Sequence, residues 1–514
     1  MKMVKSLILG SAAALVAVGG AQAADLPVKA KAVEYVKVCS LYGPGFYYIP
    51  GTDTCIKLGG YLRVETALNT NSVYGPTTSS NAGGHNRYTN YYTARSREDF
   101  NIDTRTATEY GVVRTFFDAT FSWTTGNYAG TGSATGGSLY SGSVGPAGGS
   151  VNGTDGNPNA GALGVYYAFI QFAGFTMGKA VSQFDAPWNN YPANNFDGLV
   201  GGGGTVTGVN QFTYTAQFGN GVSLALSAQD QVQYYQSGVL NVTGITAAGI
   251  AGGSYGTNSY GGTVSPDFVA SLRVDQAWGL FQASFAAHDS HVGYYGATEL
   301  TGHPDDKWGW AAQLALSIKN IPTGAGDTIN LQGVYTDGAT RYNLQVLSPN
   351  AFSMYSGAST AGAYQSIGFA NAPDTVFVTG GTQQSITTWG FRGGYTHNWD
   401  PYWNTGIYGA YAGVRFNDTS KAFICGSAAM GALLVAGSTC NPDFNVAQAG
   451  IITRWTPVKN LTFSGDFNWT RLDQKYSGQI VGPGSATAAK PAGVVYDLKD
   501  QDSFTLLLRA QRNW

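Results

Sequence analysis

The chain ends in the segment QDSFTLLLRAQRNW, residues 501–514, and this segment decides the fold. Apolar side chains such as Phe504 and Leu508 fall on one face, and polar ones such as Arg509 fall on the other. This alternation is typical of a β-strand with one apolar and one polar side. A terminal strand in water is free to fray, yet this one ends on an aromatic residue, Trp514. The pattern predicts a strand held by pairing and by surroundings that favour an aromatic residue.

The composition excludes an ordinary water-soluble surface. Charged residues make up 11% of the 514 residues and aromatic residues 13%, whereas a soluble domain averages about 25% charged residues. The longest apolar segment downstream of the N-terminus, residues 428–437, is far shorter than a membrane-spanning helix. A transmembrane β-barrel remains, because each of its strands is only half apolar. A large secreted β-solenoid or sandwich is the alternative.

The N-terminus indicates export. Two lysines precede an apolar run over residues 7–18, and the small-residue pattern AQA follows at residues 21–23. These features predict a secretory signal peptide, residues 1–23, rather than an N-terminal membrane anchor, for which the run is too short. The formal net charge of −2 excludes the strongly basic face of a nucleic-acid-binding protein.

Alternating segments recur along the chain, and the gaps between them are alternately short and long. One short gap is Asn220-Gly221, a two-residue hairpin signal. Two long gaps, residues 124–161 and 239–262, are rich in Gly, Ser and Thr and lie where external loops are expected. About sixteen strands of roughly ten residues are predicted, an even number that is typical of an outer-membrane barrel. Tryptophans at the strand ends fit interfacial girdles: Trp123, Trp278, Trp308, Trp310, Trp399, Trp403 and Trp455.

Barrel closure explains the terminal segment. The last strand must pair with the first, which begins near residue 56, so that no edge remains open. Trp514 then lies at the periplasmic interface, where an amphipathic aromatic side chain is favoured.

Four cysteines fall into two local pairs, Cys39 with Cys55 and Cys425 with Cys440. Each pair closes a short loop, which predicts two disulfides in an exported chain. A metal site is the weaker interpretation, since neither pair has the spacing or the histidines of a zinc site.

Three segments carry a family resemblance. They are VCSLYGPGFYYIPGTDTCIKLGGYLR at residues 38–63, FTMGKAVSQFD at residues 175–185, and the terminal aromatic strand. Together they resemble the general porins of alphaproteobacterial outer membranes. The resemblance implies a 16-stranded antiparallel barrel, a homotrimer, and passive diffusion of small hydrophilic solutes and ions. It also implies that the loop after the fifth strand folds into the lumen.

The resemblance further implies how such a chain is assembled and placed. The barrel assembly machinery reads the C-terminal aromatic residue, which is usually Phe, so that Trp514 is a departure. Outer-membrane lipid and lipopolysaccharide would surround the barrel. The expected organisation is a signal peptide at residues 1–23, a periplasmic N-terminal segment with a disulfide loop at 24–55, and a barrel at 56–514, with the constriction loop at 183–208.

The constriction loop is acidic. The segment 185–208 carries Asp185 and Asp197 but no Lys or Arg, and it ends in four glycines at residues 201–204, which allow close packing or a sharp bend. We expect these two acids to face basic residues across the lumen.

Strand periodicity places a set of arginines on the inner face. They come from the first three strands and from several of the last five, which closure makes neighbours, so they are predicted to form one basic arc. Opposed to the acidic loop, this arc would create a transverse field that favours polar solutes. In an alternative interpretation, the arginines only pair with wall carboxylates. Such pairing is compatible with a transverse field. The arginines are Arg63, Arg105, Arg114, Arg392, Arg415, Arg454 and Arg509.

Enzymatic interpretations find little support. His288, Ser290, His291 and His303 lie in a predicted external loop and are expected to be solvated rather than catalytic or metal-binding. The four-glycine run lacks the Lys and Ser/Thr of a phosphate loop, so no cofactor is expected. Two other functions stay open: a substrate-selective sugar or anion porin, for which no aromatic track is evident, and a surface-exposed β-barrel adhesin.

Overall fold

The structure is a computed structural model. It describes residues 37–70, 76–78, 91–124, 162–188, 192–194, 198–231, 235–345, 348–357, 364–484 and 492–514. The expected signal peptide at residues 1–23, Asp197, and nearly all of the Gly/Ser/Thr segment 124–161 lie outside these ranges.

Sixteen antiparallel strands form a closed barrel, as the sequence predicts. Each strand pairs with the next along the chain, and the last pairs with the first. The strands are β1 Cys55–Leu68, β2 Tyr92–Thr108, β3 Gly111–Thr124, β4 Ala162–Phe172, β5 Phe175–Ala180, β6 Val209–Gly219, β7 Val222–Gln229, β8 Asp267–Gln276, β9 Gly279–Ser290, β10 Lys307–Lys319, β11 Thr328–Asp337, β12 Thr387–Asn398, β13 Trp403–Arg415, β14 Phe444–Val458, β15 Leu461–Gln474 and β16 Gln501–Asn513.

The outer face of the barrel is apolar. Leu314 and Phe391 are 61% and 55% exposed, while the polar neighbours Gln313 and Arg392 point inward and are buried. So much exposed apolar surface is unfavourable in water and is expected of a wall that faces lipid. Trp403 and Trp455 stack at 5.8 Å between ring centroids beside the turn that joins β12 and β13, as an interfacial girdle requires. In the described part of the chain, none of the helices is long and apolar enough to span a membrane.

The two ends of the barrel differ. One end carries short turns, such as Asn220-Gly221, where both residues have positive φ (49° and 73°) as in a type I′ hairpin. We call this the short-turn end and the other the long-loop end. At the long-loop end, the described residues of the loops 230–266, 338–386, 416–443 and 475–500 fold over one another. Buried side chains including Phe352, Phe369 and Ile424 form their common apolar core.

The long loops contain their own small elements. Two four-stranded sheets consist of Thr257–Asn258, Val239–Asn241, Thr375–Phe377 and Gln384–Ser385, and of Ala351–Ser356, Ser366–Asn371, Val495–Leu498 and Gln479–Val481. The helices are α1 Ala247–Ala251, α2 Asp418–Cys425 and α3 Ala428–Leu433, with 3₁₀ turns at Val242–Gly244 and Thr340–Tyr342.

Both predicted disulfides are present. Cys425 and Cys440 join α2 to the segment that leads into β14, with their Cα atoms 5.8 Å apart. Cys39 and Cys55 have Cα atoms 6.0 Å apart. They belong to a separate compact unit that ends at Ile56, in which the 3₁₀ turn Ser40–Tyr42 and the strand Tyr47–Tyr48 enclose the disulfide.

The histidine cluster differs from its expected place. His288 was expected in a solvated external loop, but β9 continues to Ser290 and the long loops cover it. The imidazole is fully buried, with Nδ1 2.8 Å from Oδ1 of Asp267 and Nε2 3.5 Å from Oδ2 of Asp374. Tyr342 donates a 2.6 Å hydrogen bond to Asp267, so this network fastens the loop 338–386 to the strand ends. Among the described residues, no group of three or more His, Cys, Asp or Glu side chains is arranged to hold a metal ion.

The closing pair of strands is completed by Trp514. In register, Tyr61 of β1 lies opposite Asn513, and the Trp514 amide donates to the Gly60 carbonyl at 3.1 Å. The indole N–H reaches over β1 to Glu98 of β2 at 3.1 Å. A Cβ atom on Gly60 would lie 2.9 Å from the indole ring and 2.0 Å from the Asp99 carbonyl oxygen. Only glycine therefore lets the terminal tryptophan lie across β1.

Gly60→Ala is expected to destabilise the closed barrel by about 1–3 kcal/mol, because the added methyl group forces β1 away from β2 or displaces the indole. The measurement is the temperature at which the folded band on a denaturing gel converts to the unfolded band. Gly431→Ala in α3 is the matched control, since a Cβ atom there meets nothing within 4 Å. Conversion of the Gly60→Ala protein at the wild-type temperature would contradict this account of closure.

Candidate functional site

The loop between β5 and β6 spans residues 181–208, and its described residues, 181–188, 192–194 and 198–208, lie inside the barrel and along one wall. Inward glutamines from that wall bind its backbone. Gln282 of β9 donates to the Asp185 carbonyl at 3.0 Å, and Gln313 of β10 donates to the Phe184 carbonyl at 2.8 Å. Farther round the ring, Oε1 of Gln448 on β14 accepts the amide of Val200 at 2.9 Å. The loop after the fifth strand therefore folds into the lumen, as expected.

Three arginines of the predicted arc hold this loop. Arg392 of β12 is 1% exposed and donates to the carbonyls of Gly203 at 2.7 Å and Leu199 at 3.3 Å. Arg454 of β14 donates to the Pro192 carbonyl. Arg509 of β16 donates to Asn194 Oδ1 at 2.7 Å. A guanidinium group suits this task because its fixed fork of donors can bind two acceptors at once.

The four-glycine run lets the loop press against the wall. A Cβ atom on Gly201, which has φ +93°, would lie 2.4 Å from the Phe391 carbonyl carbon. On Gly202 it would lie 1.8 Å from Nε2 of Gln332, and on Gly203 2.1 Å from Oδ1 of Asp185. Close packing is thus the physical reason for the run.

Asp185 does not face open water, which corrects the expectation for this residue. It is 1% exposed, and its Oδ2 accepts hydrogen bonds from the Thr205 amide and, at 2.6 Å, from the Thr205 hydroxyl. Burial raises the pKa of Asp185 above its ordinary value, although the hydrogen bonds from Thr205 act in the opposite direction. The side chain ties the two ends of the loop together. The other predicted acid, Asp197, lies outside the described residues.

The arginines of β1–β3 lie on strands that are five to seven positions round the ring from β12, which carries Arg392. Arg63 donates to Gln511 at 2.8 Å. Arg105 and Arg114 are directly opposite each other in register and share one carboxylate, Asp103, at 2.8 Å and 3.0 Å. Their side chains are 29% and 28% exposed, so they reach the water of the lumen.

Other arginines of the inner wall form ion pairs and hydrogen bonds within the wall, although Arg105 and Arg114 are partly exposed. Glu65 of β1 is buried between Arg95 and Arg509, and Nε of Arg509 lies 2.7 Å from its Oε2. Arg415 stands apart, at the long-loop end of β13, where it donates to Asn445 at 2.7 Å and to the Phe444 carbonyl at 2.9 Å. The prediction of a single basic arc is therefore wrong for Arg415, because strand periodicity fixes the face of a residue but not its depth in the barrel.

Aromatic side chains accompany these arginines, which sequence reasoning missed. The guanidinium carbon of Arg63 lies 4.3 Å from the ring centroid of Tyr61. That of Arg114 lies 5.1 Å and 5.5 Å from the centroids of Phe116 and Phe169. Phe116 shares its face with Arg114 by simple alternation, and this signal was available from the sequence.

On β4 an irregular register hides the aromatic residue that lies beside an arginine. Between β3 and β4 the pairing shifts at Asp118 and Ala119, where Asp118 lies opposite Tyr167 but Ala119 lies opposite Val165. Tyr166 is the extra residue, and its ring lies 5.4 Å from the guanidinium carbon of Arg97. A β-bulge of this kind changes which residues share a face and is not visible in an alternating pattern.

Comparison with known proteins identifies the family of this chain. Residues 25–507 match the family described as the porin subfamily. The chain is 32% identical to porin Omp2b of Brucella abortus over 344 residues, which covers 66% of this chain and 75% of that relative. Porin Omp2b of Brucella melitensis biotype 1 matches with the same identity and coverage.

Among solved structures, the outer membrane channel DcaP of Acinetobacter baumannii superposes with a TM-score of 0.55 at 14% identity, covering 91% of this chain and 99% of DcaP. At that identity the likeness concerns the fold alone. The family match covers nearly the whole chain, from before β1 into β16. The chain is therefore a member of the porin subfamily, a general outer-membrane channel and not an enzyme.

Proposed function

We propose that small hydrophilic solutes and ions diffuse passively through this barrel, along a passage bounded by the loop 181–208 on one side and by β1–β4 on the other. The observation that carries the proposal is the contrast between the two walls. Arg392 is buried under the loop, while Arg105 and Arg114 keep more than a quarter of their side-chain surface exposed.

The charged lining supports a preference for polar solutes. Fixed guanidinium and carboxylate groups order water in a narrow passage, and an apolar solute must disrupt that order to pass. In the described part of the loop, Asp185 is buried, so the charges beside the passage include the partly exposed Arg105 and Arg114 and their shared partner Asp103 on the opposite wall. This is a local field along one wall and differs from the opposed charges expected from the sequence.

The proposal also covers the export of the chain and its assembly in the outer membrane. Residues 1–23 direct export and are removed, and residues 24–55 form a periplasmic segment. The barrel associates as a homotrimer in outer-membrane lipid and lipopolysaccharide, and the barrel assembly machinery reads Trp514. The packing of Trp514 across Gly60 supports a role of the C-terminus in closing the barrel.

The test is the single-channel conductance of the purified mature protein in a planar lipid bilayer. We expect stable ohmic openings that close in three equal steps if the channel is a trimer. The reversal potential under a salt gradient reports the sign of the preferred ion. Folded, heat-modifiable protein without conductance would refute the diffusion channel and would favour an adhesin.

Arg392→Met is expected to loosen the loop. It removes two hydrogen bonds from a charged donor, each of which contributes about 1.5–3 kcal/mol. A loop that leaves the wall would fluctuate in the passage, so the open channel should become noisier and its mean conductance should change. Arg471→Met is the matched control, because Arg471 pairs with Asp500 and Asp502 at the long-loop end and makes none of the hydrogen bonds described above for the loop 181–208. Traces of Arg392→Met identical to wild type would contradict the assigned role of Arg392.

A further inference from the structure

We propose that the inner wall of β2–β4 binds small organic carboxylates at a site formed by Asp103, Arg105, Arg114, Phe116, Phe169 and Gln171, which we call the paired-arginine site. This inference rests on the proposed diffusion channel, because the solute must reach the site through the lumen.

The site is built from two adjacent rows of cross-strand neighbours. In one row Arg105 of β2 lies opposite Arg114 of β3, which lies opposite Gln171 of β4. In the next row Asp103, Phe116 and Phe169 follow in the same order. Side chains from three strands therefore converge on one patch of the inner face.

Two like charges lie next to each other in this patch. Like charges directly opposite each other destabilise a sheet, and here two guanidinium groups share the carboxylate of Asp103. Both arginine side chains are more than a quarter exposed, so water reaches them. An anion from the lumen would relieve this repulsion.

Asp103 shows how the site takes a carboxylate. Nε and Nη2 of Arg114 donate to its two oxygens at 3.1 Å and 3.0 Å, and Nε and Nη2 of Arg105 donate at 3.2 Å and 2.8 Å. Such bidentate pairing is specific for planar oxyanions. The third nitrogen of Arg114, Nη1, donates to the neutral amide oxygen of Gln171 at 3.0 Å. A charged carboxylate would replace this amide as a stronger acceptor.

The aromatic rings favour an anion over a neutral sugar. Phe116 and Phe169 stack at 5.4 Å between centroids, and the Arg114 guanidinium lies over both. A solute in the lumen thus meets a planar cation instead of bare ring faces, and a sugar loses its stacking surface. The rings also hold the guanidinium in place, which reduces the entropy lost on binding.

The experiment titrates benzoate into single channels of the wild-type protein at low ionic strength, where screening is weak. Benzamide, a neutral molecule of the same shape, is the solute control. We expect benzoate, but not benzamide, to interrupt the current in a saturable manner. Equal effects of the two solutes would overturn the proposal.

Variants identify the site. Arg114→Gln should weaken benzoate binding roughly tenfold, the effect of losing hydrogen bonds to one charged donor. Asp103→Asn should strengthen it, because the internal competitor for both arginines is removed. Arg471→Gln, on an arginine at the long-loop end, should leave it unchanged. Unchanged binding in Arg114→Gln, or weaker binding in Asp103→Asn, would place the carboxylate elsewhere.

The experiment distinguishes failure of the paired-arginine site from failure of the diffusion channel. Normal conductance without a benzoate effect would refute the paired-arginine site and leave the diffusion channel intact. Folded protein without conductance would refute both.

Discussion

Every other feature of the structure depends on the pairing of β16 with β1. In lipid, an open strand edge would expose unsatisfied backbone groups, each of which costs several kcal/mol, so a membrane sheet must close on itself. Here the closing register extends from Tyr61 opposite Asn513 to Leu68 opposite Leu506. Trp514 extends the junction across β1 because Gly60 leaves room for its ring. The closed ring then separates an apolar outer face from a polar inner face.

Closure also makes an interior that one loop divides unequally. The loop 181–208 follows β9 to β16 and returns to β4, where Tyr167 donates to the Val206 carbonyl at 2.7 Å. Glutamines and arginines that would otherwise line the lumen become its anchors, and Asp185 becomes buried within it. The opposite wall keeps its arginines in contact with water. The asymmetry of the passage thus follows from where the loop lies, and the strands themselves are similar all round.

The sequence predicts features that depend on local pattern and fails where distant segments meet. Period-two alternation, hairpin turns such as Asn220-Gly221 and the two cysteine pairs were sufficient for the strand number and both disulfides. The inward fold of the loop after the fifth strand was expected only from the family resemblance. The burial of Asp185 and His288 could not be predicted, because segments far away in the chain cover them. The depth of Arg415 depends on the register of each strand, and the placement of Tyr166 depends on a bulge in β4. Neither the strand register nor the β-bulge can be predicted from an alternating sequence pattern.

In the proposed channel, the passage follows β1–β4, and the loop 181–208 covers the opposite wall. The most direct measurement is the effect of a charged, water-soluble thiol reagent on channels with one introduced cysteine. Gln171→Cys places the thiol beside Arg114, and Gln332→Cys places it beneath Gly202, where the native side chain is buried. The account predicts rapid reaction with a step in current for Gln171→Cys and slow or no reaction for Gln332→Cys. The reverse order of reactivity would contradict it.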